Sequence, residues 1–180
     1  MSTATVKRKT KETDVSVSLA RGEGRAVVDT GLPFFDHMLS TLARYAALDL
    51  ELRARGDLRH HLIEDVAISF GTAVAKLVPA TAARYGHRVV PMDDALVEAA
   101  IDVGGRFYYR GGLKSRLYEH FLRSFAENAK ATLHVRILRG KDRHHLIECT
   151  MKAVGLALRE ALAEGGAVFS TKGAVTWEVK

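Results

Sequence analysis

Hydrophobic positions along the chain switch between a period of two and a period near 3.6, and the switch happens twice in the same order. Val15, Val17 and Leu19 alternate with Asp14, Ser16 and Ser18, which predicts a strand with one buried face over Thr13 to Leu19. Gly22 and Gly24 mark a turn, and Arg25 to Asp29 reads as the returning strand of a hairpin with Glu12 at its start. A helix follows from about Phe34 to Tyr45, with Pro33 suited to its first turn. Asp49 to Arg55 alternates again and ends at Gly56-Asp57, after which Ile63, Ala67, Phe70 and Val74 carry a longer helix from about Leu58 to Leu77. Pro79 to Gly86 reads as a connector. Ala95 to Asp102 and Arg106 to Tyr109 read as strands split by Gly104-Gly105, Tyr118 to Asn128 as a helix and Thr132 to Leu138 as a strand. Residues 143 to 164 form the second long helix, through Ile147, Met151, Val154 and Leu158. The polar, basic residues 1 to 9 are expected to be a frayed arm.

The two halves of this pattern also share letters. Arg59-His60-His61-Leu62-Ile63-Glu64 recurs as Arg143-His144-His145-Leu146-Ile147-Glu148, 84 positions later. Phe35-Asp36-His37-Met38-Leu39 is echoed by Tyr118-Glu119-His120-Phe121-Leu122, and Gly56 by Gly140. The duplication predicts two structural repeats, about residues 10–80 and 90–173, in a fold of the α/β class (α+β type). The strand assignment of the Ala-rich stretch from Ala95 rests on this repeat. No Pro/Ser-rich linker separates the halves, so residues 1–180 are expected to form a single domain.

Composition narrows the function. No apolar run approaches the roughly 20 residues that cross a bilayer, and Met1 to Thr5 carries no export signal, so a cytoplasmic protein is expected. The one cysteine, Cys149, cannot close an intrachain disulfide and is expected to be a buried thiol. A net charge of +6 suits an anionic partner, but the basic residues are scattered, with only a modest cluster at Arg53, Arg55 and Arg59. That pattern favours a small phosphorylated substrate over nucleic acid.

Six of the eight histidines belong to the repeat; His87 and His134 do not. On a helix, His60 shares a face with Glu64 and His144 with Glu148, while His61 and His145 point about 100° away. A lone histidine is ordinarily a satisfied core or surface residue. A duplicated His-His-x-x-Glu with a duplicated upstream His instead predicts eight metal ligands: His37, His60, His61, Glu64, His120, His144, His145 and Glu148. Imidazole with carboxylate suits divalent Mn, Fe, Co, Ni or Zn, and the lack of thiolates argues against a cysteine-type structural zinc site. The helix phase suggests one ion on His60, Glu64, His120 and His145. A pseudo-symmetric ion would take His144, Glu148, His37 and His61, and a neighbouring subunit could supply some of these ligands. Four protein ligands leave room on a six-coordinate ion for a substrate atom.

These residues carry a resemblance that extends along nearly the whole chain. The stretches are Thr10-Lys11-Glu12-Thr13, Thr30-Gly31-Leu32-Pro33-Phe34-Phe35-Asp36-His37-Met38-Leu39, the first His-His-x-x-Glu-Asp, and Arg84-Tyr85-Gly86. They continue through Pro91-Met92-Asp93-Asp94-Ala95-Leu96, Gly105-Arg106, Glu119-His120-Phe121, the second His-His-x-x-Glu with Lys152-Ala153, and Ser170-Thr171-Lys172-Gly173. In this order the chain resembles the imidazoleglycerol-phosphate dehydratases of histidine biosynthesis. The resemblance implies two similar halves, each a four-stranded sheet packed against helices, in a 24-subunit homo-oligomer with two manganese ions per active site at subunit interfaces. It implies removal of water from D-erythro-1-(imidazol-4-yl)glycerol 3-phosphate to give 3-(imidazol-4-yl)-2-oxopropyl phosphate, through a metal-bound imidazolate that expels hydroxide. By the same resemblance Glu12 moves the carbon-bound proton, Lys152 is an active-site lysine, and Arg84, Arg106, Ser170 and Lys172 bind phosphate. Asp93 is a second acid/base or substrate-contacting candidate.

The chain departs from the family pattern in three places. The link before His60 is short, Thr41 and Tyr45 stand where the family has Gln and often His, and Phe107 follows Arg106 where Pro is common. None removes a predicted ligand. Two other functions fit the ligand set: a di-metal phosphate-ester hydrolase, and a metal-binding relative without turnover. The first lacks the Asp-rich signature of such sites, and the second has no use for Glu12 or the phosphate-binding set.

Overall fold

A computed structural model describes residues 3–165. Two four-stranded sheets are each backed by helices, with element order repeated between the halves. The first half holds β1 (Thr3–Lys9), β2 (Thr13–Arg21), β3 (Ala26–Asp29), α1 (Pro33–Tyr45), β4 (Leu48–Gly56) and α2 (Arg59–Leu77). The second holds β5 (Tyr85–Met92), β6 (Ala95–Asp102), β7 (Tyr108–Arg110), α3 (Arg116–Asn128), β8 (Thr132–Arg139) and α4 (Arg143–Ala161). Strand order is β1-β2-β4-β3 in one sheet and β5-β6-β8-β7 in the other. In both, the outer short strand runs parallel to its neighbour and the remaining pairs are antiparallel.

The alternation read from sequence is realised in burial. Val15, Val17 and Leu19 are fully buried, as are Val97 and Ala99 at corresponding places of the second sheet. These faces meet the helices, and the helices of one half meet those of the other: α2 packs on α3, and α1 on α4. Phe35 against Phe121 (5.6 Å between ring centroids) and Phe70 against Phe125 (5.7 Å) fill the layer where the halves join. Glycine permits both crossings. A Cβ on Gly71 would lie 2.5 Å from the Phe125 carbonyl oxygen, and one on Gly155 would lie 2.8 Å from that of Leu42. Any larger residue at either position would wedge the halves apart. No helix among the described residues is long and apolar enough to cross a membrane.

Four sequence expectations are corrected. Residues 3–9 are not a frayed arm but strand β1, paired along β2 with Ala4 buried; an edge strand needs only one apolar face, and its solvated face supplied the polar letters. β3 does not return onto β2. It runs parallel to β4, because β1 and β4 already occupy both edges of β2. β5 extends through residues assigned to a connector and beyond; only Gly86 and Val90 of it are buried, which leaves almost no period to detect. β7 is shorter and later than expected, and pairs in parallel with β8.

Candidate metal centre

The repeat sets the helix starts, and the helix starts set the histidines. Phe34 stacks its edge on Tyr118 (5.7 Å between centroids) and lies 5.2 Å from the ring of His144, which gathers the N-terminal ends of α1, α3 and α4. The stacked rings of His60 and His120 (4.9 Å) bring the start of α2 to the same end. Helix N-termini carry partial positive charge, so carboxylates placed there are stabilised. The acid before each upstream histidine pins the loop that leads into its helix. Asp36 accepts from Thr30 N (2.9 Å) and Thr30 Oγ1 (2.5 Å), and Glu119 accepts from Leu113 N (3.1 Å).

Two pseudo-equivalent donor groups result. His60, Glu64 and His120 form one, and His37, His144 and Glu148 the other, with donor atoms within 4.8 Å of one another in each. In the first, Nε2 of His60 and of His120 lie 3.8 Å and 3.4 Å from the Glu64 carboxylate. In the second, Nε2 of His144 and of His37 lie 3.1 Å and 3.5 Å from that of Glu148. Lys152 adds a cation to the second group, 2.9 Å from Glu148 Oε1. Burial opposes ionisation of Glu148, but Lys152, His144 and His37 outweigh it and leave its pKa lowered.

His61 and His145 join neither group. Each ring has turned to a separate carboxylate: His61 Nδ1 lies 2.9 Å from Asp57 Oδ1, and His145 Nδ1 lies 2.8 Å from Asp94 Oδ1. Of each predicted set of four, the structure brings three side chains together within one chain and leaves the fourth apart. Asp57 and Asp94 were missed from sequence. Asp57 stands four residues before His61, a separation that brings side chains together, and Asp94 belongs to the Met92-Asp93-Asp94 turn; both signals were available.

Glu12 sits in the turn between β1 and β2, its Oε2 3.6 Å from His61 Nδ1, and with Asp57 and His61 makes a third cluster of potential donors. The turn is anchored to α2 through Asp65, which accepts from Thr13 Oγ1 and from Arg8 Nε (2.9 Å). Asp93 places Oδ2 3.6 Å from His145 Nε2. Arg84 and Arg106 lie elsewhere. Arg84 N donates to Ala161 O at the far end of α4, and its guanidinium pairs with Asp102 (3.0 Å). Since α4 starts at Arg143, Arg84 stands about 25 Å from His144 at 1.5 Å per residue. Arg106 shares that far end, its carbonyl accepting from Thr132 Oγ1 (3.1 Å). Ser170 and Lys172 fall outside the described residues. Cys149 is buried, its thiol on the Val90 carbonyl (3.1 Å), and burial pushes its pKa up.

The donor groups fit a divalent cation. His120 Nε2 is buried without a hydrogen-bond partner among the described residues, a costly state for an imidazole nitrogen unless a positive centre takes its lone pair. Two imidazoles and one carboxylate gathered within 4.8 Å are a donor set such ions accept. A cleft of about 450 Å³ opens beside the second group, lined by Phe34, Arg59, Tyr118, Arg143 and His144 among others. A larger cavity of about 600 Å³, beside Ala46 and Leu162 at the opposite end of the helices, contains none of the predicted site residues.

Known proteins are similar to this chain in sequence and fold. The family model described as imidazoleglycerol-phosphate dehydratase matches residues 30–158. The chain is 50% identical to the imidazoleglycerol-phosphate dehydratase of Salinibacter ruber over 95% of this chain and 94% of that protein. It is 48% identical to that of Pyrobaculum aerophilum over 92% and 96%. A crystal structure of IGPD from Pyrococcus furiosus in complex with (S)-C348 superposes with a TM-score of 0.87 at 35% identity, covering 94% of this chain and all of that one. The Staphylococcus aureus imidazoleglycerol-phosphate dehydratase gives 0.80 at 27% identity.

Proposed function

The chain belongs to the imidazoleglycerol-phosphate dehydratase family, and from that premise we propose that it is a metal-dependent hydro-lyase of histidine biosynthesis, working in the cytoplasm as one dehydratase domain. Its substrate is D-erythro-1-(imidazol-4-yl)glycerol 3-phosphate and its product 3-(imidazol-4-yl)-2-oxopropyl phosphate. The observation that carries this reading is the pair of donor groups, each bringing two imidazoles and one carboxylate within 4.8 Å of one another.

His60, Glu64 and His120 would hold one manganese ion, and His37, His144 and Glu148 a second. Bound there, the metal supplies Lewis acidity to the nitrogens of the substrate's imidazole ring. The protein's own task is to remove a weakly acidic proton from carbon while hydroxide leaves the neighbouring carbon. Glu12, in a turn anchored through Thr13 to Asp65, is the carboxylate that moves that proton. Lys152 holds Glu148 in place and keeps it ionised. Arg84 and Arg106 bind the phosphate as fixed cations, Arg84 being oriented by Asp102, with Ser170 and Lys172 completing the set.

One copy cannot bring these parts together, since the arginines and the donor groups occupy opposite ends of the helices. The reading therefore needs a homo-oligomer, of 24 subunits as in the family, in which the phosphate end of one copy meets the metal end of another. His61 and His145, turned away from their own chain's groups, are the ligands available to a neighbour.

Manganese-loaded protein is expected to dehydrate imidazoleglycerol phosphate. Cleavage of a generic phosphate ester with no dehydration would replace this reading with a di-metal hydrolase. Glu12→Gln should lower turnover by about 10²–10⁴-fold at unchanged metal content; wild-type turnover in that variant would remove Glu12 from the mechanism.

A further inference from the structure

Within each half, one histidine is held by a carboxylate that comes from a different place in the fold. In the second half that carboxylate is Asp94, just before β6. It is braced by the backbone N–H groups of Lys141 (2.6 Å) and Asp142 (3.1 Å). The residue just before β2, at the corresponding place in the first half, is Glu12. Yet Glu12 stands back at 3.6 Å from His61 Nδ1, and the bond is made by Asp57 at 2.9 Å. Asp57 reaches it because the link between β4 and α2 is short. β4 ends at Gly56 and α2 begins at Arg59, which sets Asp57 one turn ahead of His61. Its backbone N–H also donates to Glu12 O (3.0 Å), and its carboxylate accepts from Leu58 N (2.6 Å), so the side chain is fixed from both sides.

A neutral imidazole that donates Nδ1–H keeps its lone pair on Nε2, and such a bond fixes ring orientation as well as tautomer. We infer that Asp57 is a positioning residue: it holds His61 as the Nδ1–H tautomer, presents Nε2 as the metal-binding nitrogen, and leaves the Glu12 carboxylate uncommitted for proton transfer. Asp94 holds His145 in the same way. In the second half the residue before the strand is spent on orienting the ring. In the first, that duty has passed to Asp57.

The inference rests on the metal reading above, and its test separates the two. Metal-free protein labelled with ¹⁵N-histidine, at a pH where the rings are neutral, reports each tautomer by magic-angle-spinning NMR, which tolerates a large assembly. Manganese affinity is read in parallel by competition with a fluorescent chelator. Asp57→Ala should move one ring out of the Nδ1–H population and weaken manganese binding by about 10–100-fold. Asp57→Asn, whose amide oxygen can still accept from Nδ1–H, should restore the tautomer and most of the affinity. An unchanged tautomer population in Asp57→Ala, with the parent protein binding manganese tightly, overturns the positioning role alone. A tautomer change in a parent protein that binds no manganese overturns the metal reading, and with it the assignment of Nε2 as a ligand.

Discussion

The two donor groups are built from the same letters but held differently. Glu148 has a side chain only 12% exposed and is gripped by Lys152 four residues along α4. Glu64, at the same place in α2, is 38% exposed, and the residue four positions further is Ile68. Lys152 is itself enclosed, packed over the ring of Tyr45 (5.7 Å) and against Met92 Sδ (3.3 Å). The two groups thus match in their donor residues while only one has a half-buried cation beside its carboxylate. A scaffold can repeat its geometry and still make two electrostatically distinct sites.

The most severe way to break the comparison is to remove one ligand from each group. His60→Ala and His144→Ala should each cut manganese from two ions per chain to one, with affinity at the damaged group falling by about 100-fold or more. Metal analysis after dialysis checks this, and full occupancy in either variant would remove that histidine from the ligand set.

A smaller effect separates the groups by burial. Lys152→Met removes the lysine cation that Glu148 pairs with, leaving it only the histidines, and should lower metal-free stability by about 3 kcal/mol. Glu64→Gln, at the open carboxylate, should change it by about 0.5 kcal/mol. Urea midpoints compare them directly, and equal shifts would mean that the enclosure of Glu148 has no energetic weight.

The repeat made the donor groups legible, and physical chemistry explains what remained hidden. A six-residue string recurring at a helix start announces both His-Glu faces, because separation by four residues is enough to place them. It cannot show where the neighbouring histidines go, since their direction depends on which carboxylate the surrounding loops deliver. Asp57 is delivered locally and Asp94 from 51 residues away. The same limit applies to the strands. Period two revealed β2 and β4, and the repeat supplied β6, but edge strands β1 and β5 bury too few residues to register. Nor does periodicity name a partner, so the parallel pairing of β3 with β4 was not foreseen.

The mildest prediction concerns acid. The Lys141 N–H, His145 and the Asp142 N–H hold Asp94 down at about 2, against an ordinary 3.8. A depressed carboxyl contributes stability in full above its unfolded pKa and loses it as the pH falls through the folded value. Wild-type protein should therefore lose part of its stability between pH 3.8 and about 2, and Asp94→Asn should show a shallower fall across that window. The His145 end works in the opposite direction. Its pKa is raised above 6.5, first by Asp94, so the charged form of the bond weakens as pH rises past that value. Urea midpoints measured against pH test both edges; parallel curves for parent and variant would dismiss the bond as a contributor.

The central claim is that each chain carries two ions, one at each imidazole-carboxylate group, with each group drawing ligands from both halves. Crystals of manganese-loaded protein, measured at the manganese absorption edge, locate the metal without reference to activity. The account predicts two anomalous peaks per chain, one against His60, Glu64 and His120 and one against His37, His144 and Glu148. Peaks at other positions, or none at these in fully loaded protein, would contradict it.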